Sequence, residues 1–149
     1  MANYKRLFLE GYSYYLTVVT YNRNPILIDN IEALRDSFRE SKKYYMYDIN
    51  AIVILPDHFH MIITPNNSKE YPKIIRAIKY NFSKRININE EQSISRYKKG
   101  MTPIWQKRYY EHTIRDEKDY IRCLKYMKNN PIKHNLVDNI KDWKYSSFN

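Results

Sequence analysis

Two histidines one residue apart, His58 and His60, stand in an otherwise apolar run, Ala51-Ile52-Val53-Ile54-Leu55-Pro56-Asp57-His58-Phe59-His60-Met61-Ile62-Ile63-Thr64-Pro65. In a strand successive side chains alternate faces, so the two imidazoles project to one side and Phe59, Met61 and Ile63 to the other. Packing gives no reason for two parallel imidazoles on an apolar strand. Neutral imidazoles side by side on a rigid element are half of a divalent-metal site; the competing reading is a polar face at a sheet margin. Further along, Tyr126 and Asn130 lie four residues apart in a stretch of helical period, to the side of an apolar stripe of Tyr120, Leu124 and Met127. A phenol and an amide oxygen on that face, brought beside the histidine strand, would complete a metal site next to a nucleophile. The chemistry this implies is phosphoryl transfer, with a cation polarising the phosphate as a Lewis acid and a phenolate oxygen attacking phosphorus. With 16 tyrosines in the chain, an ordinary amphipathic tyrosine competes with that reading of Tyr126, and a helix-ending residue before Pro131 competes with that of Asn130.

The elements that must position these groups follow from local pattern. Tyr12 to Asn22 is rich in β-branched and aromatic residues and predicts a strand closed by Asn24-Pro25. Asp29 is placed to cap a helix from about Ile31 to Tyr45, with Ile31, Leu34, Phe38 and Tyr45 on one stripe. The histidine run predicts two strands joined at Pro56-Asp57, a pair of turn residues. Asn66-Asn67-Ser68 then turns the chain into a second helix, whose buried stripe is Ile74, Ile75, Ile78 and Phe82. Arg85 to Met101 is polar without clear period and predicts a loop. Arg108 to Arg115 predicts a fourth strand, and Asp116 caps a third helix that the Asn130-Pro131 step ends or kinks. This order predicts an α+β fold, a ferredoxin-like or RRM-like βαββαβ antiparallel sheet with an additional C-terminal helix carrying the tyrosine. The histidine strand should then be central, with one sheet face covered by two helices and the other free. No repeat or linker interrupts residues 1–149, which are expected to form a single domain.

Composition narrows the partner. Lysine and arginine number 26 against 16 acids, a formal charge of +10, and tyrosine is abundant. Cations for phosphates and flat rings for unstacked bases suit a nucleic acid. Biased base composition would account for the lysine, asparagine and tyrosine counts but not for the charge surplus. The sole cysteine, Cys123, excludes an internal disulfide and a cysteine-rich zinc pattern and is expected to be a small buried filler. No stretch reaches the length of a membrane span and the N-terminus lacks an apolar signal segment, so a cytoplasmic setting without a membrane partner is expected.

The Pro56-Asp57-His58-Phe59-His60 segment resembles the His-hydrophobe-His motif of the HUH endonuclease superfamily. The run from Ile104-Trp105-Gln106 through Tyr110-Glu111-His112 and Arg115-Asp116 to Tyr126 and Asn130-Pro131-Ile132-Lys133 resembles the single-tyrosine transposases, most of all the REP-associated tyrosine transposases. The similarity spans nearly the whole chain. It implies a metal-dependent single-stranded DNA endonuclease and strand transferase that cleaves near hairpin DNA through a 5′-phosphotyrosine intermediate. Residue by residue, it implies that His58 and His60 bind the metal, that Tyr126 is the nucleophile and that Asn130 is a third ligand. The implied metal is Mg²⁺ or Mn²⁺, and no nucleotide cofactor is needed because transesterification conserves the phosphodiester energy. Related insertion-sequence enzymes act as dimers and REP-associated ones can act alone, so either a monomer or a homodimer is compatible. Asp57 and Asn135 depart from common family choices; both are expected to be neutral, Asn135 because asparagine tolerates a left-handed helix end.

The remaining candidates are weaker. Lys5 and Arg6 are candidate phosphate contacts, and Trp105, Arg108, Tyr109 and Tyr110 are candidate DNA contacts that would be equally unremarkable as core aromatics with one basic residue. His112 is a candidate partner near the metal, and His134 reads as a helix-end histidine. The alternative to the enzyme is a non-catalytic single-stranded nucleic-acid-binding domain of RRM-like fold, which would use the free sheet face.

Overall fold

A computed structural model describes residues 11–89 and 103–148 of the chain. Four strands form one antiparallel sheet: β1 (Ser13–Val19), β2 (Tyr47–Ile54), β3 (His58–Pro65) and β4 (Tyr110–Ile114), in the spatial order β2-β3-β1-β4. With α1 (Ile31–Ser41) between β1 and β2, and α2 (Tyr71–Asn89) between β3 and β4, this is the expected βαββαβ arrangement. A further helix, α3 (Glu117–Lys133), follows β4. The strand bearing the histidines is central, paired with β1 on one side and β2 on the other.

The strict alternation of β3 divides its side chains between two cores. Phe59, Met61 and Ile63 pack with Leu34 and Phe38 of α1 and with Ile74, Ile75, Ile78 and Phe82 of α2. These are the stripes read from the sequence. The helix start differs, however. Asn30, not Asp29, holds the cap position of α1, and its amide nitrogen donates back to the Ile26 carbonyl. The helix also stops at Ser41, because Ser41 Oγ turns onto the Phe38 carbonyl and meets the Tyr47 hydroxyl. At its other end α2 continues past Arg85 to Asn89, so the expected loop begins later; its remainder, 90–101, lies outside the described residues.

The second sheet face is not free. Ala51, Val53, Ile62 and Tyr15 pack against Cys123 and Met127 of α3 and against Trp143 and Phe148 of the C-terminal segment. That segment also closes the outer edge of β2. Ser146 bridges Val53, Ile54 N–H donates to the Tyr145 carbonyl, and Ser147 N–H donates to the Ile52 carbonyl. An open, RRM-like binding face is therefore replaced by a helix laid across the sheet. The reason is compositional: Tyr15, Ala51, Val53 and Ile62 offer an apolar patch too large to leave in water.

Of the two readings open for Trp105, DNA contact or core aromatic, the structure takes the second. Its ring is 6 % exposed, seated between Phe59 at 6.0 Å and Phe82 at 5.3 Å between centroids, with Nε1 donating to the Lys79 carbonyl. Its ring is thus a core anchor that is not available to stack on a base. Trp105→Ala is expected to cost about 3–5 kcal/mol of stability, read as a lowered urea midpoint. Among the described residues no helix is long and apolar enough to cross a membrane.

Candidate functional site

The tight connection between β2 and β3 sets the position of both histidines. Leu55 N–H donates to the His58 carbonyl across the Pro56-Asp57 turn, while Leu27 N–H and Thr20 N–H hold the Pro56 and Asp57 carbonyls. Arg23 supports the turn from the side: its backbone is left-handed (φ 53°), and its Nε donates to Asp57 Oδ2 at 2.9 Å. A non-glycine residue in that conformation is strained, and such strain is kept where the surroundings fix a functional group.

Each imidazole has one nitrogen committed to the protein. His58 Nδ1 lies 2.6 Å from Asp57 Oδ1. His60 Nδ1 lies 2.8 Å from both the Tyr15 hydroxyl and Thr17 Oγ1. These hydroxyls come from β1, where Thr17 is directly opposite His60 and Tyr15 opposite Ile62. With Nδ1–H donated to those oxygens, the Nε2 lone pairs are left bare. His60 Nε2 is buried with no hydrogen-bond partner, and His58 Nε2 faces Asn130 Oδ1 at 3.3 Å. Two lone pairs facing each other, one on nitrogen and one on oxygen, beside a second, orphaned imidazole nitrogen are an arrangement that a cation satisfies. The donor set of this structure therefore fits a divalent metal held by His58, His60 and Asn130.

Protonation agrees with that fit. Burial, helped by the neighbouring His58, pushes the His60 imidazole from 6.5 down to about 3. Burial also lowers His58, outweighing the hydrogen bond and charge of Asp57. Burial alone would raise the Asp57 carboxyl, but His58 and Arg23 hold it below its ordinary value. Both rings are accordingly neutral near pH 7. An unfolded histidine takes up its proton near 6.5 and the folded His60 only near 3, so between those values the unfolded state binds more protons and stability is lost as the pH is lowered. In chelator, His60 alone is expected to contribute a loss on the order of 4 kcal/mol across that window. Urea midpoints measured against pH check this, and His60→Gln should flatten the dependence.

The third helix brings the other half. Asp116 caps its start, the side chain accepting from Asp119 N–H. Asp119, Cys123, Met127 and Asn130 then recur at helical spacing as its buried face. This corrects the stripe read from sequence, since Tyr120 and Leu124 are only partly buried while Asn130, placed outside the core by pattern, is 2 % exposed. Pro131 does not end the helix. α3 runs on to Lys133 and closes through left-handed Asn135 (φ 60°), as asparagine there allows. The extra turn keeps Asn130 inside the helix with its amide aimed at His58.

Tyr126, one turn before Asn130, lies over the histidine pair. Its ring stands edge-on to His60 at 5.6 Å and to Tyr15 at 6.4 Å between centroids, and the residue is 49 % exposed. Lys133 Nζ is 6.0 Å from the centre of the same ring. Tyr126 and His60 line one cavity of about 540 Å³ together with Thr17, Tyr110, His112 and Arg122. The phenol is therefore close to the imidazoles, half open to solvent and reachable by a substrate.

The other candidates divide. Tyr110, 59 % exposed, is edge-on to Tyr15, and Arg108 is exposed beside β4. Tyr109 packs on the main core with Lys79 Nζ 5.7 Å from its ring. His112 reaches the cavity, but its recorded partner is Asp119, at 2.8 and 2.9 Å, and neither histidine. Lys5 and Arg6 lie outside the described residues. Sequence reasoning missed Asp57, expected to be neutral, although its adjacency to His58 was a usable signal. It also missed Tyr15 and Thr17, for which no signal exists before the β1–β3 register is known. His134, expected only at a helix end, does cap α3, and its ring stands 5.5 Å from that of His58.

Comparison with known proteins agrees with this constellation. A family model described as "Transposase IS200 like" matches residues 9–130, which include both histidines, Tyr126 and Asn130. The chain is 38 % identical to a Haemophilus influenzae protein named "Putative REP-associated tyrosine transposase", over 99 % of this chain and 86 % of that one. It is 33 % identical to the REP-associated tyrosine transposase of Escherichia coli strain K12, over 99 % and 83 %. Among solved structures, a REP-associated tyrosine transposase bound to a REP hairpin superposes with a TM-score of 0.81 at 31 % identity, covering 99 % of this chain and 83 % of that one. A Deinococcus radiodurans crystal structure shares the fold alone, with a TM-score of 0.54 at 21 % identity over 86 % of this chain and 97 % of that one. The chain belongs to the IS200-like transposase family and is a tyrosine transposase.

Proposed function

We propose that this protein cleaves and rejoins single-stranded DNA beside a hairpin, with Tyr126 as the nucleophile. The observation that carries the reading is the half-exposed Tyr126, its ring 5.6 Å from that of His60 between centroids, in a cavity that both residues line. The Tyr126 Oη–P bond forms as the P–O3′ bond breaks. The phenolic proton leaves to solvent, the departing 3′ oxygen takes one up, and the DNA 5′ phosphate stays on the tyrosine. Attack by another 3′ hydroxyl reverses the exchange, so a second strand is joined without a nucleotide cofactor.

The protein's own groups prepare this step. Lys133 places a positive charge 6.0 Å from the centre of the Tyr126 ring, where it can meet the incoming phosphate. Tyr15 and Thr17 hold the His60 ring, and Asp57 holds that of His58, so the Nε2 atoms converge with Asn130 Oδ1. Burial keeps the Tyr15 phenol well above its ordinary value, so it stays protonated and does not compete with Tyr126 as nucleophile. A divalent cation held by His58, His60 and Asn130, with Mg²⁺ or Mn²⁺ the proposed metal, would supply Lewis-acid polarisation of the scissile phosphate. The DNA-bound relative argues for a hairpin substrate, and the +10 charge suits its backbone.

The test is incubation of the full chain with end-labelled single-stranded hairpin DNA and Mg²⁺ or Mn²⁺. A covalent protein–DNA species should form, and mass spectrometry of the DNA-linked peptide should place the link on Tyr126. A link on Tyr120, or cleavage by water with no adduct, would refute the assignment.

A further inference from the structure

A second cluster of ligating atoms lies in the same cavity but away from the two histidines. Asp119 and Cys123 are one turn apart on the buried face of α3, and His112 faces them from β4. One ligand atom from each (an imidazole nitrogen, a carboxylate oxygen and the thiol sulfur) lies within 4.8 Å of the other two. Cys123 is seven residues before Asn130 and Asp119 eleven, roughly 10 and 16 Å along a helix, so the two groups of ligands do not overlap. Across the sheet His112 pairs with Tyr15, one row removed from the Thr17–His60 pair.

We propose that His112, Asp119 and Cys123 form a second divalent-metal site, one that takes a thiophilic cation such as zinc. Imidazole, carboxylate and thiolate at three corners suit tetrahedral zinc, while a thiolate ligand disfavours magnesium and manganese. All three residues line the cavity of about 540 Å³, from which water or a phosphate oxygen could complete the set. Without metal, His112 and Asp119 tie β4 to α3 directly, with Arg115 N–H at 3.1 Å from the same carboxylate. That tie makes no use of the thiol. On binding, the Cys123 S–H proton leaves to solvent as the S–metal bond forms. His112 Nε2 exchanges its contact with Asp119 for the metal, carrying its ring proton on Nδ1, and Asp119 exchanges the same contact for a metal–oxygen bond. The cation would clamp strand to helix next to Tyr126, giving the enzyme a control by a metal different from the one proposed for cleavage.

Cobalt(II) titration of the metal-stripped full chain tests this, because thiolate–cobalt ligation produces a charge-transfer absorption that nitrogen and oxygen ligands do not. Cys123 is the only cysteine, so the band has one possible source. It should vanish in Cys123→Ser and persist in a His58→Gln/His60→Gln double variant, where it should saturate at one equivalent. In His112→Ala and in Asp119→Ala the affinity should fall at least about tenfold. Zinc should displace the band, and it should raise the Tm of the His58→Gln/His60→Gln variant but not once Cys123→Ser is added to it. Cobalt bound by the His58→Gln/His60→Gln variant without the band would overturn the proposal. So would a band of unchanged affinity in His112→Ala and Asp119→Ala, which would mean a thiolate acting alone or between two chains. The readout is absorption, so failure of cleavage through Tyr126 would leave it intact.

Discussion

Tyr126→Phe is expected to abolish both strand cleavage and the covalent protein–DNA product while leaving hairpin binding within about twofold of wild type. Removing the one oxygen that attacks phosphorus leaves no substitute of comparable position, so the loss should be on the order of 10⁴-fold or more. The ring is 49 % exposed and its contacts with His60 and Tyr15 are edge-on, through carbon. The phenylalanine therefore keeps the packing, and stability should change by less than about 0.5 kcal/mol. A gel-shift titration, a denaturing gel for the adduct and a urea melt of the same variant separate the chemical role from the structural one. A residual adduct in Tyr126→Phe would mean that another tyrosine carries the reaction.

The second large effect belongs to the histidines. His60→Ala and His58→Ala should each lower metal-dependent cleavage by about 10³-fold, and the double variant should be little worse, because residues that build one site fail as a unit. Manganese titration of the cleavage rate shows whether the defect lies in metal affinity. Asp57→Asn is the finer probe. It keeps the shape of the turn but weakens the 2.6 Å partner of His58 and the pair with Arg23, so a loss of about 10- to 100-fold in metal affinity is expected with DNA binding retained. Equal cleavage with and without chelator in the wild type would sink the metal assignment.

Local pattern was enough for much of the fold. The β-branched run around Tyr14–Val19, the Pro56-Asp57 turn and the stripes on α1 and α2 are short-range signals that need only neighbouring residues. Local pattern was not enough where long-range packing decides. Trp105, readable from sequence as either a DNA contact or a core aromatic, is drawn into the core between Phe59 and Phe82. Pro131, a helix breaker by rule, sits inside α3 near its end, where the final turn closes through Asn135 instead.

The same division runs through the site. By itself the sequence determined that His58 and His60 share a face, that Tyr126 and Asn130 are stacked one turn apart, and that the chain is strongly basic, because each depends only on strand period, helix period or residue counts. Only the tertiary structure decided that α3 crosses the sheet on the histidine face, burying Asn130 against His58 and leaving Tyr126 half-exposed in the cavity. It also chose the orienting partners of His60, since Tyr15 and Thr17 lie 45 and 43 residues away and meet it through the β1–β3 register. Strand pairing and helix docking are settled by the total apolar area they bury, a property of the whole chain that no short stretch encodes.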